Sequence, residues 1–349
     1  MDVISIGAGR RIGKGQPVYI IAEMSANHGG SLELALEIVR AAKASGADCL
    51  KIQTYTADTL TMDCDKEHFQ IKSGKWAGET LYKLYQRAYT PWEWQPTIKA
   101  EAERLGMDFL STPFDSSATD FLDEMGVNFF KIASFEAVDI PLIRYIARKG
   151  KPIILSTGMA SLEEILEAVQ AVRDEGNEQL CLLRCSSAYP AIPTDMNLRI
   201  IPFLRDHLEL PVGLSDHSEG HIAAVAATAL GANVIEKHFC LDRRMETADS
   251  SFSMEPKEFE AMVDAVRQTE KALGQIDFSV TEKEMDSLLF RRSLFVVNDI
   301  KKGEVLSGEN IRSIRPAAGL KPKALHLVLG KFAATDIEAG TPLEWGMIR

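Results

Sequence analysis

Residues 211 to 240 read PVGLSDHSEGHIAAVAATALGANVIEKHFC. Pro211–Ser215 is a short apolar run of the kind that forms a buried strand. His221–Leu230 is rich in alanine and of helical length, and Gly231 ends it where a chain leaving a helix turns left-handed. Asn233–Cys240 is a second apolar run, interrupted by Glu236 and His238. A strand, a helix and a strand in so short a span predict two parallel strands joined by a helical crossover.

The same unit recurs in both directions. Apolar runs lie at Val18–Ala22, Cys49–Thr54, Asp108–Ser111, Phe129–Ser134, Pro152–Thr157 and Leu180–Ser186, which with the two above makes eight. Helical stretches include Ser31–Ser45, Pro91–Leu105 and Leu162–Val172, and Pro256–Leu273 follows the last run. Gly46, Gly106, Gly126, Gly150, Gly176 and Gly274 punctuate these stretches as Gly231 does. Ser31 and Ser161 are N-cap candidates, and Glu164 completes a capping box with Ser161. Eight such units over about 250 residues match a (β/α)8 TIM barrel; an open doubly wound sheet is the alternative, and the regularity favours closure.

One connection is irregular. Tyr55–Thr90 is polar but carries Trp76, Tyr82 and Tyr85, and it follows the second strand, so it sits at the catalytic face as a cover or as a plain surface insertion. Beyond Gly274 the pattern changes. Residues 278–290 read as a linker, and 291–349 as a small β-rich domain with runs at Ser293–Val297, Asn310–Ile314 and Phe332–Ala334. The barrel then occupies 1–277. Near the N-terminus, Gly7–Gly13 has the wrong glycine spacing for a dinucleotide loop and no strand of useful length before it.

The chain has 349 residues and a formal net charge of -11, which argues against a general nucleic-acid binder. No apolar run approaches the ~18–20 residues of a membrane span. Met1–Ser5 lacks a basic region followed by an apolar stretch, so the expected location is cytoplasmic. The 5 cysteines share no CxxC spacing and read as reduced core residues.

Reactive groups in such barrels sit at the carboxyl ends of the strands. Those ends carry Glu23, with Asn27 and His28 beyond it; Lys51 and Gln53; Ser111 and Thr112; Lys131 and Ser134; Ser156 and Thr157. The later ones carry Ser186, Ser187 and Tyr189; Ser215, Asp216 and His217; and Glu236 and His238, with Asp249 in the loop beyond. Lys51 and Lys131 interrupt apolar strands, where an unpaired cation is costly. Either internal carboxylates pair with them, or with the strand-end hydroxyls they form a socket for a phosphate and a carboxylate. His217 and His238 end consecutive strands, so their imidazoles can meet around one divalent metal and leave positions open for water or substrate. Glu23, on the strand beside the eighth in a closed barrel, can move a proton or bind sugar hydroxyls, or simply pair with a lysine. His28, Glu219 and His221 have weaker claims, and His68, His207 and His326 read as surface residues.

The segments Ala22–Gly30, Lys51–Thr54, Ser111–Asp115, Gly213–His217 and Glu236–Phe239 resemble the motifs of the sialic acid synthases. The tail, with Arg292-Ser293-Leu294 and Ile314-Arg315-Pro316, resembles their C-terminal SAF (antifreeze-like) domain, and the resemblance covers essentially the whole chain. Phe239–Arg243, Asp249–Ser253, Tyr89–Trp94 and Cys185–Pro190 are similar to the pseudaminic branch; the N-acetylneuraminate branch typically has asparagine where this chain has Ser187. The resemblance implies condensation of phosphoenolpyruvate with 2,4-diacetamido-2,4,6-trideoxy-L-altrose and water, giving pseudaminic acid and phosphate. The alternative is an N-acetylneuraminate or legionaminate synthase using another amino sugar.

By matching position, the resemblance assigns phosphoenolpyruvate to Lys51, Thr112, Lys131, Ser134, Ser156, Ser187 and Ser215. It assigns the sugar to Glu23, Gln53, Tyr189, Asp249 and Arg315, with Glu23, Lys51 and Lys131 catalytic. His217 and His238 would hold Mn2+, or Mg2+ or Co2+ in its place. It also implies a domain-swapped homodimer in which the small domain caps the partner's barrel. A metal-dependent hydrolase on the same barrel would usually need a fuller ligand set and leaves the two lysines unexplained. A non-catalytic sugar- or ice-binding relative would be expected to lack Glu23, the lysines or the histidines.

Overall fold

The computed structural model describes residues 3–7, 9–74 and 76–349. The chain divides into two compact units, Met1–Gly274 and Gln275–Arg349.

The first unit opens with an antiparallel hairpin, β1 (Val3–Ile6) and β2 (Arg10–Gly13), which corrects the sequence reading that no useful strand precedes the glycine segment. Each strand has only four residues, too few for alternation to stand out. Ala8 lies outside the described residues.

Eight parallel strands follow: β3 (Tyr19–Glu23), β4 (Cys49–Thr54), β5 (Asp108–Pro113), β6 (Phe130–Ile132), β7 (Ile153–Ser156), β8 (Leu180–Cys185), β9 (Val212–Asp216) and β10 (Val234–His238). All eight predicted runs are strands. Their order, β5-β4-β3-β10-β9-β8-β7-β6, is that of a (β/α)8 barrel, and β5 and β6 also lie side by side. The helices end where glycine was expected to end them: φ is positive at Gly46, Gly106, Gly126, Gly150, Gly176, Gly231 and Gly274. Ser31 caps Leu32–Ala44 by accepting from the Leu34 amide, and Ser161 forms its capping box with Glu164. Pro91–Leu105 splits into a 3-10 turn, Trp92–Trp94, and a helix, Gln95–Arg104.

Side chains alternate across each strand. Ile20, Ala22, Leu50, Ile52, Leu182 and Leu214 face outward into the core shared with the helices. Their neighbours face inward and stack in layers. Ile4, Ile6 and Ile12 of the hairpin cluster with Tyr19, Ile21, Cys49, Leu110, Phe129, Ile154, Cys181, Leu183 and Val234. The hairpin therefore plugs the amino-terminal end of the barrel, and Arg10 anchors it by pairing with Asp108 at 3.0 Å and donating to the carbonyls of Asp48 and Gly106. One period of two further along the strands, the inward positions become polar: Glu23, Lys51, Lys131, Ser156, Ser215 and Glu236. Closing the apolar end leaves this layer at the carboxyl end as the floor of a cleft.

The second unit has its own apolar cluster, built on Leu294, Val296, Ile300, Leu306, Ile311, Val328 and Leu343. β11 (Ser293–Val296) and β12 (Ile311–Ile314) pair antiparallel within it. Phe332 and Ala333 contribute only isolated bridges. Among the described residues no helix is long and apolar enough to cross a membrane.

Candidate active site

Strand register sets the site. His238 lies opposite Glu23, Glu23 opposite Lys51, and Glu236 opposite Ser215. Four charged groups meet in the polar layer. Lys51 Nζ is 2.6 Å from Glu23 Oε2 and 3.5 Å from Glu236 Oε1, and Lys131 Nζ is 3.9 Å from the same Glu236 oxygen. Glu23, Lys51, Lys131 and Glu236 are each at most 5% exposed, so they act on one another through little water. The internal-carboxylate reading of the lysines is thus realised, and both lysines and Glu236 also line a cavity.

Burial pushes the Glu23 carboxyl up, and neighbouring Glu236 reinforces this against the pull of Lys51. Burial opposes the charge on Glu236 too, but the two lysines outweigh it and hold that carboxyl below its ordinary value. Two carboxylates in one site are thereby pushed in opposite directions. Lys131 is lowered, first by burial and then by repulsion from Lys51, although Glu236 opposes this. It donates to Ser156 Oγ at 2.7 Å and to the Ile132 carbonyl.

A cavity of about 370 Å³ opens above this layer. Lys51, Gln53, Lys131, Ser134, Ser156, Tyr189, Ser215, His217, His238 and Asp249 all line it. Gln53 donates to Glu23 Oε1 at 3.1 Å and to Ser25 Oγ at 3.0 Å. Glu23 lies beneath, bonded to Lys51. Ser187 and Ser134 flank Gly158, where an added Cβ would come within 2.2 Å and 2.7 Å of their hydroxyl oxygens. The Gly158 amide donates to Ser134 Oγ, so amide and hydroxyls form a small polar cradle that only glycine leaves open. Thr112 lies opposite Gln53, fully buried, and its hydroxyl has no hydrogen-bond partner among the described residues, a cost that an incoming acceptor would remove. Arg315 belongs to the second unit, exposed, with its guanidinium carbon 5.9 Å from the Phe290 ring centroid.

The imidazoles of His217 and His238 face each other with centroids 5.4 Å apart, and Tyr189 packs 4.4 Å from the His217 ring. His217 Nδ1 sits 2.9 Å from the Ser186 carbonyl, a contact that makes Nδ1 the donor and turns Nε2 outward as a lone-pair ligand. Among the described residues no group of three or more His, Cys, Asp or Glu is arranged around a metal. Two imidazoles side by side at a cavity wall, with room for water or substrate, fit a catalytic divalent ion.

Two cavity-lining acids carry more than the sequence reading gave them. Glu236, in the sequence one polar residue of the eighth run, links both lysines. Glu136, in the 3-10 turn Ser134–Glu136, was not singled out at all. Burial raises its carboxyl to about 7, partly offset by Lys131, and Glu136 Oε2 has no hydrogen-bond partner among the described residues. Its position two residues past a strand-end serine was the available signal. Conversely, Glu219 and His221 are exposed, as are His68, His207 and His326. Tyr82 points away, donating to Asp58. All 5 cysteines are free.

His28 is structural. Its Nε2 meets Thr90 Oγ1 at 3.1 Å and its ring packs edge-on against Trp94, tying the first strand's loop to the end of the Tyr55–Thr90 connection. Burial lowers its pKa from 6.5 to about 4. Between those values the unfolded chain binds a proton here that the folded chain refuses. Stability should therefore fall as pH drops through that window, by up to about 3 kcal/mol. His28→Gln keeps a side chain able to bond Thr90 and should flatten this part of the pH–stability curve; equal slopes for both proteins in thermal melts from pH 7 to 4 would refute the assignment.

Comparison with known proteins agrees with this architecture. The NeuB family model matches residues 38–278 and the SAF domain model residues 291–349. Pseudaminic acid synthase of Campylobacter jejuni (strain 81-176) is 50% identical over 327 residues, covering 94% of this chain and 95% of that one. The enzyme of that name from Helicobacter pylori is 43% identical, over 94% of this chain and 97% of its own. The crystal structure of N-acetylneuraminic acid synthetase from Leptospira borgpetersenii superposes with a TM-score of 0.72 at 34% identity, covering 82% of this chain and 95% of that one. With its polar strand-end layer, its histidine pair and its second small unit, the chain belongs to the NeuB family and carries a SAF domain at its C-terminal end.

Proposed function

We propose that the protein is a pseudaminic acid synthase, joining phosphoenolpyruvate to 2,4-diacetamido-2,4,6-trideoxy-L-altrose with water and releasing phosphate. The observation that carries this reading is the buried cluster of Lys51, Lys131, Glu23 and Glu236 beneath a cavity lined by serine hydroxyls. The identities of 43% and 50% to proteins of that name support the choice of sugar.

Phosphoenolpyruvate is a compact anion, and the lysines and hydroxyls suit it. Lys51 and Lys131 take its charge, and Thr112, Ser134, Ser156, Ser187 and Ser215 donate to its oxygens. Gln53, Tyr189, Asp249 and, in the assembled enzyme, Arg315 hold the sugar. His217 and His238 hold a divalent ion, Mn2+ or else Mg2+ or Co2+, which when bound supplies a Lewis acid for the aldehyde oxygen. Carbon 3 of phosphoenolpyruvate forms the new bond to aldehyde carbon 1, and the aldehyde oxygen takes up a proton. Water adds at carbon 2 and loses a proton. The hydroxyl left on carbon 2 then closes to the ketone and gives up its proton as the carbon–oxygen bond to phosphate breaks, and the electron pair of that bond leaves with the phosphate, whose charge the two lysines meet. Glu23, its carboxyl raised by burial, is the group placed to exchange the proton.

The reaction runs in the cytoplasm, where phosphoenolpyruvate is available and cysteines stay reduced. The active form is a homodimer exchanging its small domains. Ile276 and Phe278, 94% and 96% exposed, are apolar surface that a second subunit would cover.

Three sugars test the reading: the trideoxy-diacetamido altrose, its legionaminate counterpart and N-acetylmannosamine, each with phosphoenolpyruvate and Mn2+. We expect phosphate release with the altrose sugar alone, abolished by a chelator, with a product mass equal to pseudaminic acid. Release with another sugar alone would reassign the substrate, and release with none would overturn the reaction class.

A further inference from the structure

The cavity is polar on its strand side and apolar on its cover side, and the cover's composition is unusual for a surface connection. The helix Leu81–Ala88 carries Leu81, Leu84, Tyr85 and Ala88 at positions i, i+3, i+4 and i+7, a single stripe on one face. All four line the cavity. None belongs to either apolar cluster of the barrel, so this stripe serves no core. Leu84 is nonetheless only 7% exposed. Phe114, after β5, extends the same apolar wall, and its ring packs against Tyr55 at 5.3 Å. Thr80 caps the helix by accepting from the Lys83 amide, which fixes where the stripe points.

The chemistry of the reaction sets which end of the sugar meets this wall. Carbon 1 must reach phosphoenolpyruvate over the lysines on the floor. An open-chain six-carbon sugar then extends away from the floor, so its carbon 4 to carbon 6 end lies toward the cover. We propose that the apolar face of the Leu81–Ala88 helix reads that far end, accepting a methyl at carbon 6 and the methyl of a 4-acetamido group and disfavouring hydroxyls. This deepens the proposed function and rests on it. A hydroxyl pressed against Leu81 and Leu84 loses water and finds no partner, whereas a methyl there is buried at a gain. Apolar pockets reject an added hydroxyl only moderately, by about 10²-fold.

The test compares two sugars differing at one atom: the 2,4-diacetamido-2,4,6-trideoxy sugar and its 6-hydroxy counterpart. The wild-type protein should prefer the 6-deoxy sugar in kcat/KM by about 10- to 100-fold. Leu84→Asn, which offers the hydroxyl a partner, should bring that ratio to within about threefold while leaving the KM for phosphoenolpyruvate unchanged. Ala88→Leu, which keeps the helix and narrows its face, should lower kcat/KM for both diacetamido sugars by about 10-fold with the phosphoenolpyruvate KM again unchanged, and covers the case in which the asparagine variant does not fold. A wild-type ratio near one, or an Ala88→Leu protein indistinguishable from wild type, would overturn the role of the helix with the proposed function intact. So would a Leu84→Asn protein that folds and keeps the wild-type ratio. No phosphate release from wild type with either sugar would overturn both.

Discussion

Replacing Lys131 with methionine should reduce phosphate release by about 10³-fold while the protein stays folded. Lys131 is fully buried, and its ammonium is held by Ser156, the Ile132 carbonyl and, at longer range, Glu236. Burial and Lys51 both work against its charge, and the lowered pKa records this. The resting protein therefore bears a cation whose surroundings do not fully compensate it, and a phosphate leaving group would complete that compensation as its charge develops. A charge set in place before the reaction needs no reorganisation when the bond breaks, which is why losing one such group costs so much. Methionine matches the length of the lysine stem and restores an apolar inward position, so stability should change little. Lys51 remains to balance Glu236 at 3.5 Å. The assay is single-turnover phosphate release at saturating phosphoenolpyruvate, with a thermal melt as control. A folded variant within tenfold of wild type would remove Lys131 from the chemistry.

Most of this arrangement is legible in the sequence. The eight runs, the glycines that end the helices and the caps Ser31 and Ser161 depend on local chemistry, and local chemistry is what a sequence displays. The histidines and lysines were legible because they are polar residues in apolar runs. Glu236 was visible on its run, but its link to both lysines depends on register. It acts on Lys51 from a strand two positions away in the sheet order, and no spacing in the chain expresses that distance. The hairpin β1–β2 was illegible for another reason. Its isoleucines gain their meaning from the open end of a barrel whose layers come from residues 19 to 234. Glu136 carries little signal on its own: a glutamate two residues past a strand end is ordinary, and only burial beneath the connection raises its carboxyl.

On the outward side of β9 and β10 a second buried charge pair holds the structure. Lys237 lies opposite Asp216 in the ladder, with side chains 1% and 0% exposed and Nζ 2.7 Å from Asp216 Oδ2. Lys237 also donates to the Ser218 carbonyl, while Asp216 Oδ1 accepts from the Ser218 amide at 2.8 Å and hydroxyl at 2.7 Å. The pair therefore clamps the turn that leaves β9, and each charge depends on the other for compensation. Lys237→Ala strands an ionised carboxylate in the layer between strands and helices, and should destabilise the protein by about 3–5 kcal/mol, read as a shift in the urea unfolding midpoint. Asp216→Leu with Lys237→Met removes both charges and keeps the volume. It should recover most of that loss, because desolvating two ions offsets much of what their attraction contributes. The expected pattern is thus a severe single variant beside a mild double one. A Lys237→Ala protein within about 1 kcal/mol of wild type would mean that water or another cation reaches Asp216, whereas a double variant as unstable as the single would mean that the hydrogen bonds to Ser218, rather than the charge balance, hold this end of the barrel together.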